Sequence, residues 1–332
     1  MKRRDFLLGP PAAAACGCSR RPAAPYKLRA VASRTLFNAG FFTPQEMGFF
    51  QQAGVEVELM PHLSRGRDAI PLLGGGEVDV SSYPISAASI NAIAKGVKMR
   101  IVAGRGMQTP DCGVLGRLYC RKDSFPQGLT DLRMLRGKRI SSSSRGGIAE
   151  FFIDQILASV GLSTDDLQVR PLQRQEAVVA LLNGGLDAVL EYEAVGKLTD
   201  VSSAVFAGLD VGAILPNFQF TYLYFGKRLL EGDPHYGARF LGGYMRGIRA
   251  YLGGANPKWL SDYAKEFDLD EAAVRGECRR YLTANAEIDM TSLTRFLEWT
   301  IKKGYCPASL TAQQLVNRGF LDRAWQQVGR QA

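Results

Sequence analysis

The chain has 332 residues, with 41 Lys+Arg against 32 Asp+Glu and a formal net charge of +9. Its 46% hydrophobic and 22% charged residues are ordinary for a soluble globular protein and exclude a disordered chain, while 36 Gly without a strict period exclude collagen. Beyond the N-terminus no run of 18 apolar residues suggests a membrane-spanning helix, and no Lys/Arg run interleaved with aromatics suggests nucleic acid as a partner. The length favours two domains.

Residues 1–25 read as an export signal. Lys2-Arg3-Arg4 stand directly before a short apolar stretch from Leu7 to Ala15. The order Arg3-Arg4-Asp5-Phe6-Leu7 resembles a twin-arginine signal. Ala13-Ala14-Ala15-Cys16 has the layout of a bacterial lipobox, which would anchor the protein by a lipid on Cys16; an ordinary small-residue cleavage site is the alternative. Much of the excess positive charge lies in this segment, and the remainder mildly favours anionic partners.

From Tyr26 onward, strands and helices alternate. Strands are predicted over Lys27–Ser33, Val55–Met60, Val78–Ser82 and Met99–Ala103. Helices are predicted over Thr43–Ala53, near Arg67–Leu73 and up to Ala94. Single helices between strands imply a parallel sheet covered on both faces. A second α/β unit follows the stretch around Ser124–Gly128, with strands at Lys138–Ser142, Gln168–Pro171 and Leu186–Leu190 and helices at Gly147–Val160 and Gln175–Leu182. The last third is mostly helical. Asp233-Pro234 caps an amphipathic helix ending at Gly253-Gly254, and further helices are predicted over Asp270–Leu282, Met290–Lys303 and Thr311–Val328.

The stretch most informative for chemistry is Ser141-Ser142-Ser143-Ser144-Arg145-Gly146-Gly147, where a strand runs into a helix. Free N–H groups at a helix start suit an anion or a carbonyl oxygen, and the two glycines admit a ligand to the backbone. It is not a Walker loop, and a serine cap with a tight turn is the plain alternative. His62 and His235 are the only histidines, and no C-x-x-C pair stands outside the signal, so zinc and iron–sulfur sites lack ligands and no cofactor is expected.

Asp131-Leu132, Leu135-Arg136-Gly137-Lys138-Arg139-Ile140, the serine-glycine turn and Glu150-Phe151-Phe152 together resemble the second lobe of the substrate-binding proteins of ABC importers. The group concerned handles nitrate, sulfonates, taurine and thiamine-precursor pyrimidines. Ala180-Leu181-Leu182-Asn183-Gly184-Gly185-Leu186-Asp187-Ala188 is similar to that group's "ALL-x-G-x-x-DA" element. Gly48-Phe49-Phe50 with Gly54-Val55-Glu56-Val57, and then Gly76-Glu77-Val78-Asp79-Val80, resemble units of its first lobe. The order agrees from about Lys27 to Leu321.

The resemblance implies an α/β, two-lobed periplasmic-binding-protein fold (type II), with the ligand in a cleft between lobes joined by two hinge-crossing segments. Lobe I would comprise 26–117 and 222–332, and lobe II 118–221. The implied function is capture of a small organic solute outside the cytoplasmic membrane and delivery to the membrane permease of an ABC importer, without catalysis and as a monomer. Two alternatives stay open. One is an enzyme on the same fold, although the pyrimidine synthases that share it carry a cysteine-rich motif and a histidine absent here. The other is an extracytoplasmic sensor accessory.

The candidate ligand contacts are Phe37, Asn38, Ser82, Tyr83 and Ser86 from lobe I, Ser143, Ser144, Arg145, Gly146, Gly147, Glu191 and Tyr192 from lobe II, and Phe220 at the return crossing. Those from lobe I lie where open sheets bind ligands, outside the carboxyl ends of strands. Arg145 would pair with an anionic head. Glu191-Tyr192-Glu193-Ala194 departs from the group's Trp-Glu-Pro, and Glu191 would either meet an amino group of the ligand or point to solvent. Packing, capping or solvation is the plain alternative for each of the others. Of the four cysteines beyond the signal, the favoured disulfide is Cys278–Cys306, on or beside neighbouring helices, followed by Cys112–Cys120.

Overall fold

The computed structural model describes residues 25–60, 68–109, 112, 116–142, 145–191 and 203–330. The export segment with Cys16, together with His62, Ser143, Ser144 and Tyr192, lies outside the described residues.

Two five-stranded sheets organise the chain. β1 (Tyr26–Val31), β2 (Val55–Leu59), β3 (Val80–Pro84) and β4 (Arg100–Met107) are followed by β5 (Arg117–Arg121), β6 (Arg139–Ser141), β7 (Gln168–Arg170), β8 (Ala188–Glu191) and β9 (Val205–Asp210), and then by β10 (Gln219–Phe225). The first sheet has the order β2-β1-β3-β10-β4 and the second β7-β6-β8-β5-β9. Each sheet with its helices forms a lobe. In β2, Val55 and Val57 are buried while Glu56 and Glu58 face water, the alternation of an edge strand with one covered face.

The expectation of wholly parallel sheets is corrected. β10 runs antiparallel to both β3 and β4, and β5 runs antiparallel to both β8 and β9. β5 and β10 are the strands entered directly after the chain crosses from one sheet to the other, so no helical crossover obliges them to run parallel.

The helices are α1 (Ala39–Glu46), α2 (Phe49–Gln52), α3 (Ala69–Gly75), α4 (Ala87–Ala94), α5 (Ile148–Ala158), α6 (Arg174–Leu182), α7 (Lys227–Glu231), α8 (Pro234–Leu252), α9 (Trp259–Glu266), α10 (Glu271–Gly276), α11 (Met290–Lys302) and α12 (Gly319–Val328). The expected stripe of α8 is the buried one: Phe240 stacks on Phe50 at 5.2 Å, and Tyr244 meets Phe41 edge-on at 5.4 Å. The single helix expected over Thr43–Ala53 is two, divided where Gly48 turns left-handed.

Two expected C-terminal helices are shorter than the apolar periodicity suggested, because parts of them extend along β4. Tyr281 O accepts from Met107 N at 2.9 Å, and Ala286 O accepts from Gly104 N at 2.9 Å. Val316 pairs with Ile101. These segments cover the outer edge of β4. Their approach requires Gly104, where a Cβ would lie 2.0 Å from Glu287 O.

The expected disulfides are corrected as well. Cys112 bonds Cys278, with Cα atoms 5.5 Å apart, while Cys120 and Cys306 are free and buried. Cys120 points into the second lobe beneath Gly208, away from the crossing that carries Cys112. Cys278 follows the end of α10 and so faces that crossing. Burial pushes the Cys120 thiol up to about 12.

The apolar core passes from one lobe into the other through α5. Phe151 stacks on Phe218 at 5.0 Å and meets Phe296 and Trp299 at 5.3 Å each, and Phe152 meets Phe220 at 5.4 Å.

Candidate functional site

Three strands of lobe I end together: β1 and β3 are parallel, and β4 shares their direction because β10 opposes both β3 and β4. Their carboxyl ends bring Asn38, Ser82 and Arg105 into one hydrogen-bonded group. Asn38, just beyond β1 and only 1% exposed, donates through Nδ2 to Ser33 O at 2.8 Å. Its Oδ1 accepts from Ser82 Oγ at 3.1 Å and from Arg105 Nη1 at 2.6 Å. Asn38 and Ser82 were expected at this place. Arg105 was not.

Arg105 is 4% exposed, and its Nε is buried without a hydrogen-bond partner. No carboxylate among the described residues pairs with it. Its guanidinium carbon lies 5.8 Å from the ring centre of Phe37, which in turn packs on Tyr281 at 4.9 Å. Burial pulls the guanidinium down to about 10, against the opposing influence of the Tyr244, Tyr281 and Tyr224 phenols, so the group remains a cation at neutral pH. The sequence does hold a signal for it: a charge flanked by glycines inside the apolar run Ile101-Val102-Ala103-Gly104-Arg105-Gly106-Met107.

Tyr83 is 5% exposed, stacked on Tyr224 at 4.2 Å, with its hydroxyl unpartnered. Ser86 caps α4: its Oγ accepts from Ser89 N at 3.3 Å, and Ser89 Oγ returns a bond to Ser86 O at 2.8 Å. A hollow of about 470 Å³ lies nearby at the ends of β4 and β10, lined in part by Met107, Gln219, Thr283, Glu287 and Asp289. Its carboxylates are engaged, Glu287 with Arg330 at 2.6 Å and Asp289 with the first amides of α11.

The lobe II turn meets lobe I. Ser141 and Ser142 are buried, Arg145 is exposed, and Gly146 and Gly147 are buried. Gly146 N donates to Glu150 Oε2 at 2.6 Å, and Gly146 O accepts from Ala87 N at 2.8 Å. Glu150 Oε1 accepts from Tyr305 Oη at 2.7 Å, and burial followed by this bond to Glu150 raises the Tyr305 phenol to about 12. Gly146 is therefore already engaged on both sides of its peptide. Farther along α5, Asp154 accepts from Trp299 Nε1 at 2.9 Å and Lys303 Nζ at 2.8 Å. The structure thus joins Gly146 to the Ser86-capped helix rather than to the Asn38 group.

Glu191 ends β8 and is 6% exposed, so it does not point to solvent; in register it stands opposite Arg117. Phe220 is buried against Phe152, a core position between the lobes.

Two motif carboxylates prove to be clamps between strands. Asp187, just before β8, accepts from the Arg139 amide at 2.7 Å, from Arg139 Nη2 at 2.6 Å and from Ser124 Oγ at 2.8 Å. Burial alone would raise its pKa, but these bonds hold it well below the usual carboxylate range. Asp79, just before β3, does the same in lobe I, accepting from the Arg29 amide at 2.8 Å and Arg228 Nη1 at 3.2 Å. There burial prevails and the carboxyl is raised. Each lobe thus uses one aspartate to pin two adjacent parallel strands, β1 to β3 in lobe I and β6 to β8 in lobe II.

Residues 38–253 match the family model described as NMT1/THI5 like. No curated protein matches the chain by sequence. Solved structures match it over most of its length. The alkanesulfonate-binding protein SsuA from Xanthomonas axonopodis pv. citri, bound to MOPS, is 16% identical, with 90% of this chain and 100% of that chain covered and a TM-score of 0.67. The periplasmic nitrate-binding protein NrtA from Synechocystis PCC 6803 is 14% identical over 92% of this chain and 89% of its own, with a TM-score of 0.70. The periplasmic aliphatic sulphonate binding protein SsuA from Escherichia coli is 13% identical over 89% and 92%, with a TM-score of 0.69. At these identities the likeness establishes the two-lobed periplasmic-binding-protein fold.

Proposed function

The chain belongs to the NMT1/THI5-like family, and we propose that within it this protein is the extracytoplasmic solute-binding component of an ABC importer. It captures a small organic solute (a sulfonate, a carboxylate or a pyrimidine-like molecule) between lobe I, residues 26–117 and 222–332, and lobe II, residues 118–221. It then hands the solute to a membrane permease without altering it. The cationic, apolar and small-residue order of residues 1–25 supports export, with Cys16 as the candidate lipid anchor.

One observation carries the reading. Asn38, Ser82 and Arg105 gather polar groups and a buried positive charge at the carboxyl ends of three strands, the place where open α/β sheets receive ligands. In lobe II, β6 runs out into Ser141 and Ser142, both of which are buried. A buried polar group of this kind suits orientation of a small ligand better than it suits packing.

The test is a thermal-shift screen of the mature protein against sulfonates, carboxylates and pyrimidines. A binder stabilises the folded state in proportion to the logarithm of its concentration above Kd. At least one class is expected to raise the melting temperature, by an amount that keeps growing with the logarithm of its concentration. No shift with any class would refute the reading, and conversion of the solute to a product would favour an enzyme.

A further inference from the structure

We infer that Arg105 is the counter-charge for a ligand carrying a single anionic head, a carboxylate or sulfonate, bound side-on along the edge of the guanidinium that holds Nε. This deepens the solute-binding reading and rests on it.

The geometry selects the edge. Asn38 Oδ1 occupies Nη1 at 2.6 Å and fixes the plane of the guanidinium, because Asn38 is itself held by Ser33 and Ser82. Nε is left buried and without a partner. An arginine presents two parallel N–H groups along its Nε–Nη2 edge, the spacing that two oxygens of a carboxylate or sulfonate match. A neutral acceptor would satisfy only part of it.

The surroundings favour an anion over water. With its charge buried and no carboxylate partner among the described residues, Arg105 is costly to keep unless a counter-charge arrives. The nearby hydroxyls of Tyr244 and Thr283 are also buried and unpartnered, and Thr283 N already bonds Arg105 O at 3.3 Å. Both are neutral and add no second charge to the surroundings. The Phe37 ring, 5.8 Å from the guanidinium carbon and packed on Tyr281, suits an apolar body attached to the head. One cation with neutral donors matches one negative charge; a dianion would bring an uncompensated second charge into a dry place.

The experiment uses the mature full-length protein with butanesulfonate, pentanoate, the uncharged pentanamide, and chloride, by calorimetric titration. The two organic anions are expected to bind at least about tenfold more tightly than pentanamide. Arg105→Lys, which keeps the charge but loses the side-on fork, should weaken them by about tenfold to a hundredfold. Wild-type protein labelled with ¹⁵N-arginine supplies a readout that needs no variant, since one protected Nε–H resonance should move on adding butanesulfonate. Unchanged anion affinity in Arg105→Lys, or an unmoved Nε–H signal at saturation, would overturn the assignment. Equal binding of chloride would reduce the place to an inorganic-ion site. Tight binding of pentanamide alone would overturn the anion inference and leave the solute-binding reading standing, whereas no binding by any of these probes would overturn the anion inference and leave the solute-binding reading to the thermal-shift screen.

Discussion

Arg105 Nη1 lies 2.6 Å from Asn38 Oδ1, and this bond joins β4 to the segment after β1 across 67 residues of sequence. The same oxygen holds Ser82, so one amide ties the carboxyl ends of three strands together. Asn38→Ala should therefore leave two donors without their acceptor. A cost of about 1.5–3 kcal/mol is expected from the charge-assisted bond, read by urea unfolding at pH 7. A loss below about 0.5 kcal/mol would show that the three ends are held by packing alone.

Asp187 should make the protein sensitive to acid. Its folded pKa is depressed, so it contributes stability above the ordinary value of 3.8 and loses it as pH falls through the lower folded value. Asp187→Asn should be less stable at pH 7 by about 1–3 kcal/mol, the cost of leaving the Arg139 and Ser124 donors without their charged acceptor. The difference from wild type should narrow as pH is lowered below 3.8. Unfolding curves at pH 7 and at stepwise lower pH check both, and a difference independent of pH would contradict the clamp.

Peptide mapping of unreduced protein should recover Cys112 joined to Cys278. Two thiols, Cys120 and Cys306, should resist alkylation until the protein unfolds, since both are buried and protonated. The bond closes a loop with a sequence separation of 166. Its replacement by two serines should lower stability by up to about 5 kcal/mol in the chain-entropy account. Recovery of Cys278 joined to Cys306 would contradict the fold around the crossing.

Gly146→Ala tests the contact between the lobes. Gly146 has φ +67, and an added Cβ would lie 2.6 Å from the Ala87 Cβ. Destabilisation by more than about 1 kcal/mol is expected, together with weaker solute binding because the turn can no longer reach α4. An unaffected variant would show that this contact does not matter to the folded state.

Much of this architecture is legible in the residues, and the exceptions have physical causes. Alternating strand and helix signals located β1 to β4 and β6 to β8, where each strand carries its own apolar pattern. β9 escaped notice, and β5 and β10 were expected only as hinge crossings, because pairing across the crossings, rather than local pattern, determines these strands. The helix expected over Asp270–Leu282 gave way where the Cys112 bond and the edge of β4 compete for the same backbone. At the site, Asn38 and Ser82 followed from the rule about strand ends. Arg105 did not, because the predicted strand stopped at Ala103, whereas β4 continues through Gly104 and Arg105 to Met107. The burial of Arg105 depends on the 281–289 segment covering β4, a contact between residues distant in sequence.

Native mass spectrometry of the mature protein, incubated with the solute found in the thermal-shift screen and then released from it, tests the central claim most directly. One solute per chain is expected, lost on denaturation and recovered with its mass unchanged. A solute that returns as a product, or a chain that retains none under conditions where its melting temperature had risen, would contradict a protein that binds and delivers.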